Sequence, residues 1–260
     1  MLKKVLTRQI LSQKSGFCFN IHLILKVSIV IASYNRFDTL LDAISSVKNQ
    51  LYNNIELIVV NDCSTDTRYY EQTDFKKDIL WIDLKISSLN LFGYPCPGYV
   101  RDVGISQSSG DFIAILDDDD YFYPDKIQIQ IEYILKNNLS LVSTEGFIGF
   151  GRYDPNIHYP EYYGKYYQKF VNNYFNHKWF CKNVTLPKIF DHTLISQHNF
   201  IIHSSVLFTK KLYDKVGGYD YVNINLFEDW MLFLKMLKFT DCHFINIPLV
   251  YYSARKTIIS

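Results

Sequence analysis

Phe112-Ile113-Ala114-Ile115-Leu116-Asp117-Asp118-Asp119-Asp120, FIAILDDDD, runs five apolar residues without a break into four carboxylates. The apolar part follows a Gly110-Asp111 turn and is short, which suits a strand buried on both faces, as in a parallel sheet. Carboxylates this close oppose each other's ionisation. A chain that sets them at the end of a buried strand leaves them in open water, as a solvated acidic turn, or neutralises them with a cation. In open parallel sheets ligands bind beyond the carboxyl ends of the strands, and the four aspartates stand at that end.

The same pattern recurs towards the N-terminus. Lys26–Ala32 is a second continuous apolar run, and Ile55–Val60 and Ile79–Leu84 read as two more strands. Between the first two, Leu40, Ile44, Val47 and Leu51 recur at helical spacing. Ser64, Thr65 and Asp66 offer caps for a helix after the second. A loop with Gly93, Pro95, Pro97 and Gly98 leads to a short helix near residues 99–107, and Pro124 opens a helix with Ile127, Ile131, Ile134 and Leu135 on one face. Strands alternating with helices predict an α/β fold: a mostly parallel, Rossmann-like sheet with right-handed crossovers, flanked by helices. Periodicity fades after Phe147, and residues 150–198 are rich in aromatics and His. Order returns over Phe200–Thr209 and Lys210–Val216, followed by Gly217-Gly218, a helix near 227–239 and two short strands, His243–Ile247 and Leu249–Tyr252.

Bulk properties bound the function. The chain has 260 residues, enough for one large domain with a real core, and a formal net charge of +1 gives no electrostatic case for nucleic acid. The five cysteines are odd in number and scattered, with no CxxC pair. That argues against a disulfide framework or structural zinc and for a reducing, cytoplasmic location. No apolar run reaches the roughly 18–20 residues of a membrane span; Asn20, His22 and Lys26 interrupt the nearest one. Leu2, Leu6 and Ile10 share a helical face among Lys3, Lys4, Arg8 and Lys14, which leaves room for weak contact of residues 1–25 with a membrane surface.

Three polar clusters fall at strand ends: Ser33-Tyr34-Asn35-Arg36, Asn61-Asp62-Cys63-Ser64 and Asp117–Asp120. The aspartates accept hydrogen bonds only, so they suit a hard cation such as Mg²⁺ or Mn²⁺, which binds through one or two carboxylates plus phosphates. Tyr34 offers a flat face for a base, and Asp62 an acceptor for a ring N–H or a ribose hydroxyl; a surface Tyr and a capping Asp are the plain alternatives. Arg101 can meet a diphosphate. Glu228-Asp229 opens the last long helix, whose N-terminus favours the ionised form that a proton acceptor needs. Of the histidines, none at metal-binding spacing, His198, His203 and His243 fall in the ordered second half, where one can approach the site. Tyr159, Tyr162, Tyr163, Tyr166, Tyr167, Tyr174, Trp179 and Phe180 either pack an irregular subdomain or stack on sugar rings.

Taken together, VSIVIASYNRFDTLLDAISSVKNQ, ELIVVNDCSTD, YVRDVGISQSSGDFIAILDDDDYFYPDK, SSVLFTKKLYDKVGGYD and FEDWMLFLKML resemble a family 2 glycosyltransferase of the GT-A fold. The resemblance spans roughly residues 27–252, without the first 26 and about 150–195. It implies residues 27–125 as a nucleotide-sugar-binding half and 126–260 as an acceptor half of one domain, the latter with an irregular, aromatic-rich insertion at about 150–195. It implies an inverting, metal-dependent transfer from a nucleotide sugar, UDP-linked by family frequency, to a hydroxyl of a glycan, lipid or protein. Ser33, Tyr34 and Asn35 would line the donor site, Tyr34 stacking on the base and Asp62 bonding to it. Asp118 would lie near the ribose, and Asp119 would be the main ligand of Mn²⁺ or Mg²⁺. Arg101 would sit near the donor, Asp229 would be the general base, and Glu228 would orient the acceptor or support the helix start. The run of four allows two Asp-x-Asp registers, so the division of roles between Asp117 and Asp118 stays open. Rivals fit less well. An Asp-x-Asp phosphatase places its motif near the chain start, with Thr or Val two residues on. A nucleotidyltransferase wants a Gly-rich basic loop that SYNRFD lacks. A non-catalytic sugar-binding relative has no need of Asp119 and Asp229.

Overall fold

The computed structural model describes residues 25–71, 73–163, 186–221 and 227–254. In chain order the elements are β1 (Val27–Ser33), α1 (Phe37–Lys48), β2 (Ile55–Asn61), β3 (Ile79–Asp83), α2 (Ser88–Phe92), α3 (Pro97–Ser106), β4 (Phe112–Ile115), β5 (Tyr121–Phe122), α4 (Lys126–Asn137), β6 (Leu141–Gly149), β7 (Ile189–Phe190), α5 (His192–Gln197), β8 (Leu207–Thr209), α6 (Lys210–Val216), α7 (Glu228–Met236) and β9 (Cys242–Ser253). Single turns of 3₁₀ helix stand at Thr67–Tyr70, Asp74–Lys76 and His203–Ser205.

The strands form one sheet in the order β3-β2-β1-β4-β8-β6-β9-β5, with β7 also on β9. β1 pairs in parallel with β2 and β4, and β2 with β3, as the alternation of apolar runs predicts. β8 inserts antiparallel between β4 and β6, and β6 runs parallel to β9. The long pairings are therefore parallel and the short ones antiparallel. Side chains alternate across a strand, so each strand feeds two cores. Val30, Ile58, Val60, Ile113 and Ile115 face Val100, Ile105, Leu232 and Phe233. Ile29, Ile31, Val59, Ala114 and Leu116 face Leu40, Ile44, Ile127 and Ile131. Burial on both faces is why these runs carry no polar alternation.

Four details depart from the sequence expectations. The segment after Asp66 makes only one 3₁₀ turn. The Asp66 carboxylate accepts from the Arg68 amide at 3.0 Å, and Tyr69 is fully buried with its hydroxyl 2.6 Å from Ser33 Oγ, which pins the chain before a helix can propagate. The short helix α2 appears where none is expected; Ser87 Oγ accepts from the Asn90 amide, and Gly93 ends it at φ 81°. β6 crosses a stretch with little apolar signal, LVSTEGFIG. Its buried Glu145 is satisfied by the amides of Gly146 at 2.8 Å and Tyr163 at 3.1 Å. The two expected C-terminal strands are one, β9, whose register against β6 shifts on both sides of Glu145, where Pro248 sits opposite. Proline cannot donate to the ladder, so the irregularity falls at that point.

In the aromatic-rich region, Tyr159 and Tyr163 are buried, while Tyr166, Tyr167, Tyr174, Trp179 and Phe180 lie outside the described residues. So does the segment expected to touch a membrane, apart from Leu25. Among the described residues no helix is long and apolar enough to cross a membrane. Cys63, Cys96 and Cys242 are free thiols.

α3, which carries Arg101, lies against β1 and β2 at Gly104. A Cβ there would come within 2.6 Å of Val30 Cγ1 and 3.0 Å of Val60 Cγ2. Alanine favours a helix over glycine by about 1 kcal/mol, but overlap with two β-branched core side chains costs about 1–3 kcal/mol. Gly104→Ala is expected to lower the urea midpoint, and Gly104→Val to lower it further. A midpoint at or above the parent's in either variant would show that α3 has room to lift from the sheet.

Candidate active site

Parallel pairing brings the ends of β1, β2 and β4 to one rim. The Leu116 amide bonds the Val30 carbonyl at 3.1 Å, so β4 stays attached to β1 up to the first aspartate, and the Asp120 amide closes a tight turn onto the Asp117 carbonyl at 3.1 Å. That turn splits the four carboxylates. Asp120 points inward, accepting from Ser204 Oγ at 2.5 Å and from the Ser253 amide at 2.8 Å. Burial, reinforced by Asp117 and Asp119, pushes its pKa well up. Asp118 is also nearly enclosed, bonded by Ser33 Oγ at 2.7 Å, and burial raises its pKa against the pull of Arg36. Asp117 and Asp119 keep side-chain exposures of 27% and 26%, so they are the pair that faces the rim.

Two arginines neutralise this turn. Arg101, on α3, is buried, with Nη2 at 2.6 Å from Asp117 Oδ1 and Nη1 at 3.0 Å from Glu228 Oε1. Burial opposes its charge, but Asp117 first and Glu228 as well hold its pKa above the usual arginine value. Burial likewise opposes the charge on Asp117, and its favourable neighbours, Arg101 foremost with Arg36 behind it, together outweigh it and hold that carboxyl below its usual range. Arg36 is the second, with Nη1 at 3.0 Å from Asp118 Oδ1 and 2.7 Å from Asp119 Oδ2. Asp119 is nonetheless pushed up to about 6 by burial and by Asp117. The sequence reading places Arg36 in the polar cluster after β1 but gives it no role of its own.

Tyr34 presents a half-exposed ring at the end of β1. Asn35 adopts a left-handed φ of 53°, which asparagine tolerates better than most residues. Its amide bonds Ser64 Oγ at 2.9 Å and its Oδ1 accepts from the Thr65 amide at 2.8 Å, so it clips the loop after β1 to the loop after β2. Asp62 accepts from the Ser88 amide and Oγ, both at 2.6 Å, and ties the second loop to the start of α2.

Asp229, in the first turn of α7, accepts from Asn199 Nδ2 at 3.0 Å and from the Trp230 amide at 2.7 Å. Burial, then the neighbouring Glu228 charge, pushes its pKa up to about 6. Asn199 carries no periodic or motif signal, and only the fold brings it here. Among the described histidines, His203 reaches the site, with Nδ1 at 3.7 Å from Asp117 Oδ1 and Nε2 at 2.7 Å from the Tyr219 hydroxyl. Burial and Arg101 push its pKa down to about 3, so the ring is neutral at ordinary pH.

Among the described residues no three His, Cys, Asp or Glu side chains converge as a metal cage. Two part-exposed carboxylates on one rim do fit a hard cation that takes one or two protein oxygens and draws the rest from phosphate and water.

The glycosyl transferase family 2 profile matches residues 28–207. An uncharacterised glycosyltransferase of Rickettsia felis is 35% identical over 137 residues, 51% of this chain and 21% of the relative. The Escherichia coli protein WfgD, named as a UDP-Glc:alpha-D-GlcNAc-diphosphoundecaprenol beta-1,3-glucosyltransferase, is 38% identical over 117 residues, 45% of this chain and 44% of that one. The matches span less than half the length of these relatives. Among solved structures, Staphylococcus aureus TarS 1–349 in complex with UDP-GlcNAc superposes with a TM-score of 0.63 at 16% identity, covering 89% of this chain and 59% of that one. A likeness at that identity carries the fold alone, which is the GT-A fold. With more than half its length matched by the profile, the chain belongs to glycosyl transferase family 2.

Proposed function

We propose that the protein transfers a sugar from a UDP-linked donor to an acceptor hydroxyl on a glycan or lipid, with inversion and with help from Mn²⁺ or Mg²⁺. The observation that carries this reading is the Arg101 bridge: one buried guanidinium joins Asp117 of the acidic turn to Glu228 beside Asp229. The donor-side and acceptor-side carboxylates then share one rim of the sheet. Supporting analogies are the UDP-GlcNAc complex of TarS and the UDP-Glc donor and lipid-linked acceptor in the name of WfgD.

Each group has a task under this reading. The Tyr34 ring stacks on the base, and Asp62, held in place by Ser88, accepts from it. Ser33 fixes Asp118 near the ribose, and Asn35 shapes the pocket by joining two loops rather than by touching the donor. Asp119, with Asp117 beside it, would hold the divalent ion. When bound, that ion stabilises the charge that develops on the departing diphosphate. Arg101 acts as a brace that keeps Asp117 and Glu228 aligned. Asp229 takes the proton of the acceptor hydroxyl as it attacks the anomeric carbon. Asn199 orients Asp229 through Nδ2. With the base on one face and the leaving group on the other, a single displacement inverts the centre.

Three outcomes test the assignment. Asp119→Ala is expected to remove the part of UDP affinity that depends on Mn²⁺ in calorimetry; an unchanged affinity would exclude Asp119 as the metal ligand. Asp229→Asn is expected to keep UDP binding and to lose turnover by about 10²-fold or more, the scale of general-base catalysis. The base works only when ionised, and the Asp229 pKa is raised to about 6. Wild-type kcat should therefore fall as pH drops through about 6. A turnover rate that is flat from pH about 5 to 8 would remove Asp229 from that role.

A further inference from the structure

We infer that Arg36 is a built-in counter-cation of the donor site, one that a divalent ion must displace and that makes ion and nucleotide binding depend on each other. The inference rests on the donor-site reading above and extends it to a residue that reading does not use.

The geometry singles Arg36 out. Its Nη1 stands within hydrogen-bond reach of two different carboxylates, Asp118 Oδ1 at 3.0 Å and Asp119 Oδ2 at 2.7 Å. Asp118 has a second donor in Ser33, whereas among the described residues Arg36 is the one side chain that donates to Asp119. Arg36 thus covers the more exposed of these two carboxylates, the one assigned to the metal.

Backbone and side chain are held very differently. The Arg36 amide donates to the Tyr69 hydroxyl at 2.9 Å, and its carbonyl accepts from the Leu40 amide at 2.9 Å and from Thr39 Oγ1 at 3.1 Å. Position 36 is therefore a fixed pivot at the start of α1. The side chain is 40% exposed. Its Asp119 partner is 26% exposed as well; an ion pair that meets water on both sides is worth about 1 kcal/mol, so that contact opens readily when something better arrives.

The competition follows from charge. A divalent ion and a guanidinium both within about 3 Å of one carboxylate oxygen repel strongly. An ion entering alone must break the Arg36 contacts and leaves the guanidinium without a partner. An ion entering with a nucleoside diphosphate brings phosphate oxygens, which suit an arginine fork. Displacement is then offset by a new charge-assisted contact. The two ligands become positively coupled, and by linkage the coupling is the same whichever binds first.

The test is calorimetric titration of Mn²⁺ and of UDP, each alone and in the presence of the other, on the full chain and on Arg36→Gln and Arg36→Lys, all at one pH of about 8. The backbone anchors of position 36 do not involve its side chain, and circular dichroism checks that the variants fold. Arg36→Gln is expected to bind Mn²⁺ alone about three- to tenfold more tightly than the parent. The factor by which UDP raises its Mn²⁺ affinity should shrink in proportion. Arg36→Lys keeps the charge and should retain most of the coupling. Equal Mn²⁺ affinity and equal coupling in the parent and Arg36→Gln overturn the role of Arg36 and leave the donor site standing. If UDP raises the Mn²⁺ affinity of neither protein, the donor-site reading fails and the role of Arg36 fails with it.

Discussion

A single buried cation holds this site together. Arg101 reaches the acidic turn after β4 with one nitrogen and the first residue of α7 with the other. Both partners are carboxylates that the fold has partly withdrawn from water. Without the guanidinium, their mutual repulsion and that of Asp118, Asp119 and Asp229 would push the turn and the helix start apart. Among the described residues its Nε is buried with no hydrogen-bond partner, a cost of about 1–3 kcal/mol that the chain accepts for that geometry. The energetic worth of such a pair is often small against an apolar alternative. Its value here is positional: it sets the spacing between groups drawn from opposite ends of the sequence.

The acidic run itself is two devices in one turn. Asp118 and Asp120 look inward and are met by Ser33, Ser204 and the Ser253 amide. Asp117 and Asp119 look outward. Burial divides the run of four into two pairs. The inward pair locks the turn to β1, to the 3₁₀ turn before β8 and to the end of β9, and the outward pair faces the rim.

Much of the frame was legible because burial on both faces leaves a simple trace. Val27–Ile31, Leu57–Val60 and Phe112–Leu116 announce themselves as strands, and the polar clusters behind them mark the rim. β6 hid because Ser143, Thr144 and Glu145 are buried through hydrogen bonds, and hydrogen bonds leave no periodicity. The helix after Asp66 failed to form because a tertiary anchor, Tyr69, overrode local capping. Asp117, Asp119 and Asp229 could be named from pattern and resemblance. Arg36 was placed in its cluster without a role and Asn199 was not singled out, since their partners lie 83 and 30 residues away and only the tertiary fold brings them into reach.

The placement of β8 carries a consequence for how the chain is made. β4 is complete by residue 115, but one of its edges is covered only by β8, which begins at Leu207. During synthesis from the N-terminus, the first four strands can assemble as a parallel sheet long before that edge has a neighbour. An open, apolar, unpaired edge invites association with other chains. The seam between β4 and β8 is thus the late, non-local step on which escape from aggregation depends, and it makes the first four strands a poor candidate for life as an isolated fragment.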